Sequence, residues 1–278
     1  MEHSVHRAFE IKIEHERVVR GDFYASATQP SKGTLLLCHG YKGFKDWGMF
    51  PHVASALNED VDVVSINLSH NGVGEDLLNF TELDKFARAT YSKDVEDVEA
   101  VVNFIHSHLS AGEPRKPIFL LGHSRGAGVF LIYALDHPEQ VSGVISWNGI
   151  SDVDLLTEEN KAEMRERGRS YTLNGRTKQQ MPLDLVILED MEQNADRYDL
   201  IGRVKEAVFP ITLIQGTEDS TRWIAGSASL VESNPEIQWF RIAEGNHTFG
   251  TVHPYQGATK ALQEAIAVTK KTISSWLQ

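Results

Sequence analysis

Apolar residues fall along this chain in short, strand-length clusters, separated by stretches with helical spacing. Thr34 to Cys38 and Ile118 to Leu121 are continuous runs, and Val61 to Asn67, Val141 to Trp147, Pro210 to Gln215 and Glu236 to Ile242, where polar residues stand among apolar ones, read as further strands. A continuous apolar run bounded by turn residues is what a strand buried on both faces requires. Ahead of them, Ala8 to Ile13 and Arg17 to Ala25 alternate apolar and polar positions, which predicts a hairpin at one sheet edge. Between the runs, helical spacing predicts helices over Trp47 to Asn58, Ser92 to Leu109, Ala127 to Leu135, Thr221 to Val231 and Gln256 to Leu277. Pro51 limits where the first can begin. In Ser92 to Leu109, Val95, Val98, Val101, Val102 and Ile105 share one face, with the acids expected on the other. His106 and His108, at its end, read as surface residues. Strands that alternate with helices imply an α/β fold, with a mostly parallel central sheet covered by helices on both faces.

One stretch breaks the rhythm. Asp152 to Glu206 is charged and interrupted, with no strand–helix alternation. It predicts a helical cap inserted at residues 152–206 into one domain spanning 1–278. The apolar segment Met181 to Leu188 gives the insertion a surface to pack with. A lid of this kind excludes water and shapes specificity.

Composition narrows the function classes. The chain of 278 residues carries 39 acidic and 27 basic side chains, a net charge of −12. Phosphate binding needs clustered Lys and Arg, so neither a nucleic acid nor an anionic membrane surface is expected as a partner. No apolar run is long enough for a transmembrane helix. The charged start of the chain lacks the apolar core of a signal peptide, so a cytoplasmic location is expected. Cys38 is the only cysteine; at the end of an apolar run it reads as a small buried residue. Twelve histidines raise metal binding as a question, but no H-E-x-x-H or comparable ligand spacing occurs. The loop His39-Gly40-Tyr41-Lys42-Gly43 does not match G-x-G-x-x-G, which disfavours a nucleotide binder.

The densest chemistry lies in Pro117 to Tyr133. A short apolar run leads into Gly122-His123-Ser124-Arg125-Gly126, and small apolar residues follow at helical spacing. Strand, G-x-S-x-G, helix is the context of a nucleophile elbow. Ser124 would sit in a strained turn, with Gly122 and Gly126 making room. Its hydroxyl would lie at a helix N-terminus, which favours developing negative charge. Two further loops follow predicted strands: Gly216-Thr217-Glu218-Asp219 and Glu244-Gly245-Asn246-His247. His247 has the residue type of a base for Ser124, and Asp219 would orient it. Glu218 and Asp152 are rival acids, and His253 is the rival base. Acyl transfer also needs two backbone N–H groups aimed at the oxyanion. Tyr41, in the loop after an early strand, and Arg125, next to the nucleophile, are the candidates.

The motifs His39-Gly40-Tyr41, Gly122-His123-Ser124-Arg125-Gly126, Gly216-Thr217-Glu218-Asp219 and Gly245-Asn246-His247 resemble those of serine α/β-hydrolases, over nearly the whole chain from Thr34 on. Within that superfamily the chain is similar to small bacterial carboxylesterases, a group with the cinnamoyl (feruloyl) esterases and dienelactone-hydrolase-like enzymes. The resemblance implies hydrolysis of a small-molecule ester, with a small or aromatic acyl group, by Ser124, His247 and Asp219, without metal or organic cofactor. It leaves a peptidase, a thioesterase or a non-catalytic binding member of the fold as alternatives. Small esterases often carry an uncharged residue where this chain has Arg125; its side chain is expected to pair with a cap carboxylate such as Glu189 or Asp190, with an effect on specificity as the alternative. His39, Phe44, Trp47 and His123, with Tyr171, Met181 and Leu185 of the cap, are candidates for the substrate pocket. The cap could also serve a homodimer.

Overall fold

The computed structural model describes residues 6–14, 17–109 and 115–278. Two antiparallel strands come first, β1 (His6–Lys12) and β2 (Val18–Tyr24). Next are β3 (Thr34–Cys38), α1 (Phe50–Leu57), β4 (Asp62–Asn67), the single turn α2 (Leu83–Phe86) and α3 (Tyr91–Phe104). Strand β5 (Ile118–His123) runs into α4 (Arg125–Asp136) with only Ser124 between them, and β6 (Gly143–Trp147) follows. The insertion holds α5 (Glu158–Arg167), β7 (Arg169–Leu173), β8 (Gln180–Asp184), α6 (Leu185–Gln193) and α7 (Leu200–Arg203). The chain closes with β9 (Ile211–Gly216), α8 (Thr221–Ser233), β10 (Gln238–Ile242) and α9 (Lys260–Trp276).

Eight strands form one sheet in the order β1-β2-β4-β3-β5-β6-β9-β10. Pairing is parallel from β4 across to β10, while β2 joins β4, and β1 joins β2, antiparallel. Strand β5 is central. Its register sets Cys38 of β3 beside Gly122 and Trp147 of β6 beside His123. The C-terminal ends of these strands therefore reach one level, the edge at which open α/β sheets gather their functional loops.

The apolar runs are continuous because successive residues enter different layers. Leu36 and Leu120 join a layer with Val98 of α3 and Phe130 of α4. Leu35, Leu37, Phe119 and Leu121 join the opposite one, with Val53 of α1 and Leu262 of α9. Burying each such side chain contributes about 1.5–3 kcal/mol, so a polar substitution in β3 or β5 would weaken both the sheet and one layer.

Helix α3 departs from expectation. Glu96 and Glu99 face outward, but Asp94 and Asp97 lie on the buried face with Val95, Val98, Val101 and Val102. Each is enclosed because it meets donors there. Asp97 accepts from Arg17 Nη2 at 2.8 Å and from the Ser69 amide at 2.7 Å; Asp94 holds Arg125. The helix also ends earlier than its spacing suggests, at Phe104, and one wide π-type turn covers Ile105–Leu109. There His106 is partly buried and His108, exposed, stacks on Phe104.

The insertion is not purely helical. Strands β7 and β8 form an antiparallel hairpin with Tyr171 opposite Pro182. The Asn174 side chain closes its turn by accepting the amides of Arg176 and Thr177. Met164, Met181, Leu183, Ile187 and Leu188 pack into the layer of α3 and α4, so the apolar segment lies against the body of the protein. Among the described residues no helix is long and apolar enough to cross a membrane.

Candidate active site

The turn between β5 and α4 is strained at one residue. Ser124 has φ 53° and ψ −119°, a backbone region that L-residues other than glycine rarely enter. Its neighbours show why small residues flank it. A Cβ on Gly122 would lie 2.4 Å from Ala127 Cα, and one on Gly126 would lie 2.4 Å from the His39 carbonyl oxygen. Either substitution would drive β5, α4 and the loop after β3 apart.

Three loops bring side chains to this turn. Ser124 Oγ lies 3.0 Å from His247 Nε2, in the loop after β10. His247 Nδ1 lies 3.0 Å from each carboxylate oxygen of Asp219, in the loop after β9. A proton on Nδ1 donated to this carboxylate leaves the Nε2 lone pair free to accept from the serine hydroxyl. Asp219 is buried and is held by two more donors, Gln215 Nε2 at 2.7 Å and the Ser220 amide at 2.7 Å. The rivals lie elsewhere. Glu218 is exposed, and Asp152 pairs with Arg222. His253 accepts the Gly48 amide at 2.9 Å and stacks on Trp47.

A second set of polar groups fixes these loops. Asn148, fully buried after β6, has φ 46°. Its Oδ1 accepts from the Gly216 amide at 2.8 Å and from Gln215 Nε2 at 3.0 Å. Its Nδ2 donates to the carbonyls of Asn246 at 3.2 Å and His247 at 2.9 Å. One side chain thus ties the end of β9, which carries the acid loop, to the loop of the histidine. His123 adds a bond to the same His247 carbonyl, from Nε2 at 2.7 Å. Burial lowers the pKa of His123 to about 3, with the neighbouring His247 adding to the effect, so the ring is neutral at ordinary pH. Asn148 and Gln215 escape a search for catalytic triplets. Their signal is subtler: Asn148 immediately follows the buried run of β6, and Gln215 is a polar residue inside the apolar run of β9.

Two amides face no protein acceptor. Among the described residues, neither the Tyr41 nor the Arg125 backbone N–H makes a hydrogen bond within the protein. Arg125 N–H belongs to the first residue of α4, where the helix leaves its amides free. Its side chain turns away and is buried. It bonds Asp94 from Nε at 3.1 Å and Nη2 at 2.6 Å, and lies 3.8 Å over the Tyr91 ring. The expected pairing with Glu189 or Asp190 of the cap is therefore corrected to Asp94 of α3. Asp190 is engaged by Ser92 and Tyr198.

Beside Ser124 lies a cleft of about 160 Å³, lined by Tyr41, Lys42, Trp47, Phe50, His123 and His247 among others. Several pocket candidates lie outside it. Phe44 is fully enclosed against Phe80 and His253, and Met181 is fully enclosed in the core. Tyr171, half exposed on β7, is not among the residues lining the cleft, and Leu185 packs against the apolar layer. His39 lies beneath the loop, with Nδ1 donating to the Gly40 carbonyl at 2.8 Å; burial lowers its pKa to about 4. These side chains face the interior or solvent because packing of the insertion, which no local pattern encodes, sets their direction.

Comparison with known proteins agrees with this architecture. Residues 33–169 match the family model described as alpha/beta hydrolase fold. A sequence search of curated proteins finds no match. Among solved structures, the chain is similar to Est1E from Butyrivibrio proteoclasticus, at 14% identity and a TM-score of 0.71, covering 97% of this chain and 98% of that one. The same protein solved with ferulic acid bound gives 15% and 0.72, covering 97% and 99%. The dienelactone hydrolase from Anabaena variabilis gives 15% and 0.64, with both chains fully covered. Sheet order, the strained serine between β5 and α4 and the family match together place this chain in the α/β-hydrolase fold.

Proposed function

We propose that the protein is a serine hydrolase that cleaves carboxylic esters. The observation that carries this reading is the hydrogen-bonded series Ser124, His247, Asp219, set beside two amides without protein acceptors. His247 Nε2 takes the proton of Ser124 as Oγ attacks the ester carbonyl. The Tyr41 and Arg125 amides stabilise the resulting oxyanion, each donor worth on the order of 3 kcal/mol. The tetrahedral intermediate expels the alcohol, which takes the proton from His247, and an acyl-Ser124 ester remains. Water then loses a proton to His247 and attacks the acyl carbon, and the bond to Ser124 Oγ breaks as Oγ takes that proton back, releasing the acid.

The cleft favours a small or aromatic acyl group. Its volume is modest, and Tyr41, Trp47 and Phe50 offer flat apolar walls. A hydroxycinnamoyl ester fits that description, and the ferulic acid bound in the similar Est1E fold adds support. The test is a panel of p-nitrophenyl esters from acetate to palmitate, with methyl cinnamate and methyl ferulate. Wild type should hydrolyse the short or aromatic members. Ser124→Ala should lose nearly all turnover, on the order of 10⁵–10⁶-fold. Inert wild type, or an equally active alanine variant, would end the proposal.

A further inference from the structure

Lys42 stands out within the cleft. It lines the same space as Ser124 and His247. Its backbone is left-handed, with φ 57°, a conformation that costs glycine nothing and lysine something. Its ammonium lies 5.1 Å over the ring of Tyr41, which lines the same cleft. Two of its three N–H donors are used, on Thr172 Oγ1 at 3.1 Å and the Leu173 carbonyl at 2.9 Å, both in β7. These acceptors are neutral. Among the described residues no carboxylate lies within ion-pair distance of Lys42, although acids outnumber bases in the chain by 39 to 27.

The surroundings reinforce the charge. The N-terminus of α4 and the free amides of Tyr41 and Arg125 add positive potential to the same cleft. The charge of Asp219 is already met by His247, Gln215 and the Ser220 amide. Burial disfavours the Lys42 ammonium, and no neighbouring anion offsets that cost. A partly dehydrated cation with a donor to spare gains most from meeting an anion.

Resting on the esterase reading above, we propose that Lys42 is a specificity-determining residue and that the physiological substrate is an ester bearing a carboxylate near its scissile bond. A single ammonium with one spare donor matches a singly charged planar carboxylate better than a phosphate dianion. Thr172 and Leu173 hold the ammonium in place, so the hairpin of the insertion takes part in reading the substrate.

The test compares matched ester pairs. Mono-p-nitrophenyl succinate against p-nitrophenyl butyrate places the charge on the acyl side. 4-Acetoxybenzoate against 4-acetoxybenzamide places it on the alcohol side. Ser124→Ala supplies the background, which also removes self-hydrolysis of the succinate. The quantity read is the ratio of kcat/KM, charged over neutral, within each variant, so a general loss of activity cancels. Wild type should favour the charged member of at least one pair by about ten- to hundredfold. Lys42→Met should bring that ratio close to one, and Lys42→Arg should retain most of it. Thr172→Val, which keeps the ammonium and loses one tether, should retain a preference.

A wild-type ratio at or below one, or a ratio unchanged in Lys42→Met, overturns the proposal. So does 4-acetoxyphenyl phosphate outrunning 4-acetoxybenzoate, which would make the ligand a phosphate. If no ester is turned over, the esterase reading fails by itself. Calorimetric binding of 4-hydroxybenzoate against 4-hydroxybenzamide then decides on Lys42: tighter binding of the acid by wild type than by Lys42→Met sustains an anion site, and equal binding ends it.

Discussion

At the scale of single residues, the proposed chemistry depends on side chains that never touch the substrate. Asn148 joins the backbone amide of Gly216, the side-chain Nε2 of Gln215 and the carbonyls of Asn246 and His247 through one buried carboxamide. Its removal frees the acid and histidine loops to drift relative to each other. A misplacement near 1 Å costs about a hundredfold in rate, so Asn148→Ala should lower kcat by about ten- to hundredfold with little change in KM. Asn148→Gly accepts the left-handed backbone but lacks the amide, and should be equally slow. Recovery of kcat in the glycine variant would show that backbone conformation, not the carboxamide, matters. The same scale shows what a sequence can carry. That Ser124, Asp219 and His247 could come together was legible because each stands in a short loop after a strand-length stretch whose end can be counted. Phe44, Met181 and Tyr171 were not placed, because a side chain's direction is set by what packs around it. Lys42 was visible only as one letter of a glycine-rich loop; its lack of a carboxylate partner is a property of the folded chain.

At the scale of elements, the strands and long helices were legible for a definite reason. Strands β3 and β5, buried on both faces, are apolar at nearly every position, and that pattern survives any tertiary detail. The insertion lacks such a constraint. Residues 169–173 bury the polar Ser170 and expose Tyr171 and Leu173, and 180–184 bury three successive residues including a proline, so the hairpin leaves little local trace. Helix α3 shows the opposite case, a clear period with two acids on the wrong face. They lie inward because Arg125 of α4 and Arg17 before β2 meet them there. The Arg125–Asp94 pair joins α3 to the helix that follows Ser124, and it carries a prediction. Arg125→Met leaves Asp94 buried and unpaired, which should cost about 3–5 kcal/mol in urea unfolding. Arg125→Met with Asp94→Leu should recover most of that loss, since a packed apolar pair replaces a paired charge at little net cost. Two single losses that simply add in the double variant would mean that the two side chains do not act as a pair.

At the scale of the whole molecule, buried titratable groups set the response to acid. Burial lowers the pKa of His39 to about 4 and those of His70 and His123 to about 3, with Lys93 and Arg17 also opposing charge on His70. The folded chain keeps all three neutral between pH 6.5 and 4, whereas the unfolded chain protonates them near 6.5. The unfolded state therefore binds more protons in this window, and stability falls as pH falls. Asp97 works against this. Burial, with Asp94 beside it, raises its pKa to about 6, so below that value the folded state holds a proton that the unfolded chain releases until about pH 4. Among these four groups, three protons favouring the unfolded state against one favouring the folded leave a net uptake of about two on unfolding between pH 6 and 4, and Asp94, whose pKa burial also raises, reduces it further. Each net proton is worth about 1.4 kcal/mol per pH unit. The melting temperature should accordingly drop steeply from pH 6.5 to 4.5. His39→Gln should flatten the slope of unfolding free energy against pH by about one proton, while Asp97→Asn should steepen it, because the opposing group is gone. These two variants should move the slope in opposite directions even if both are destabilised overall. A melting temperature that stays level across the window would mean that the three imidazoles are not held neutral inside the folded protein.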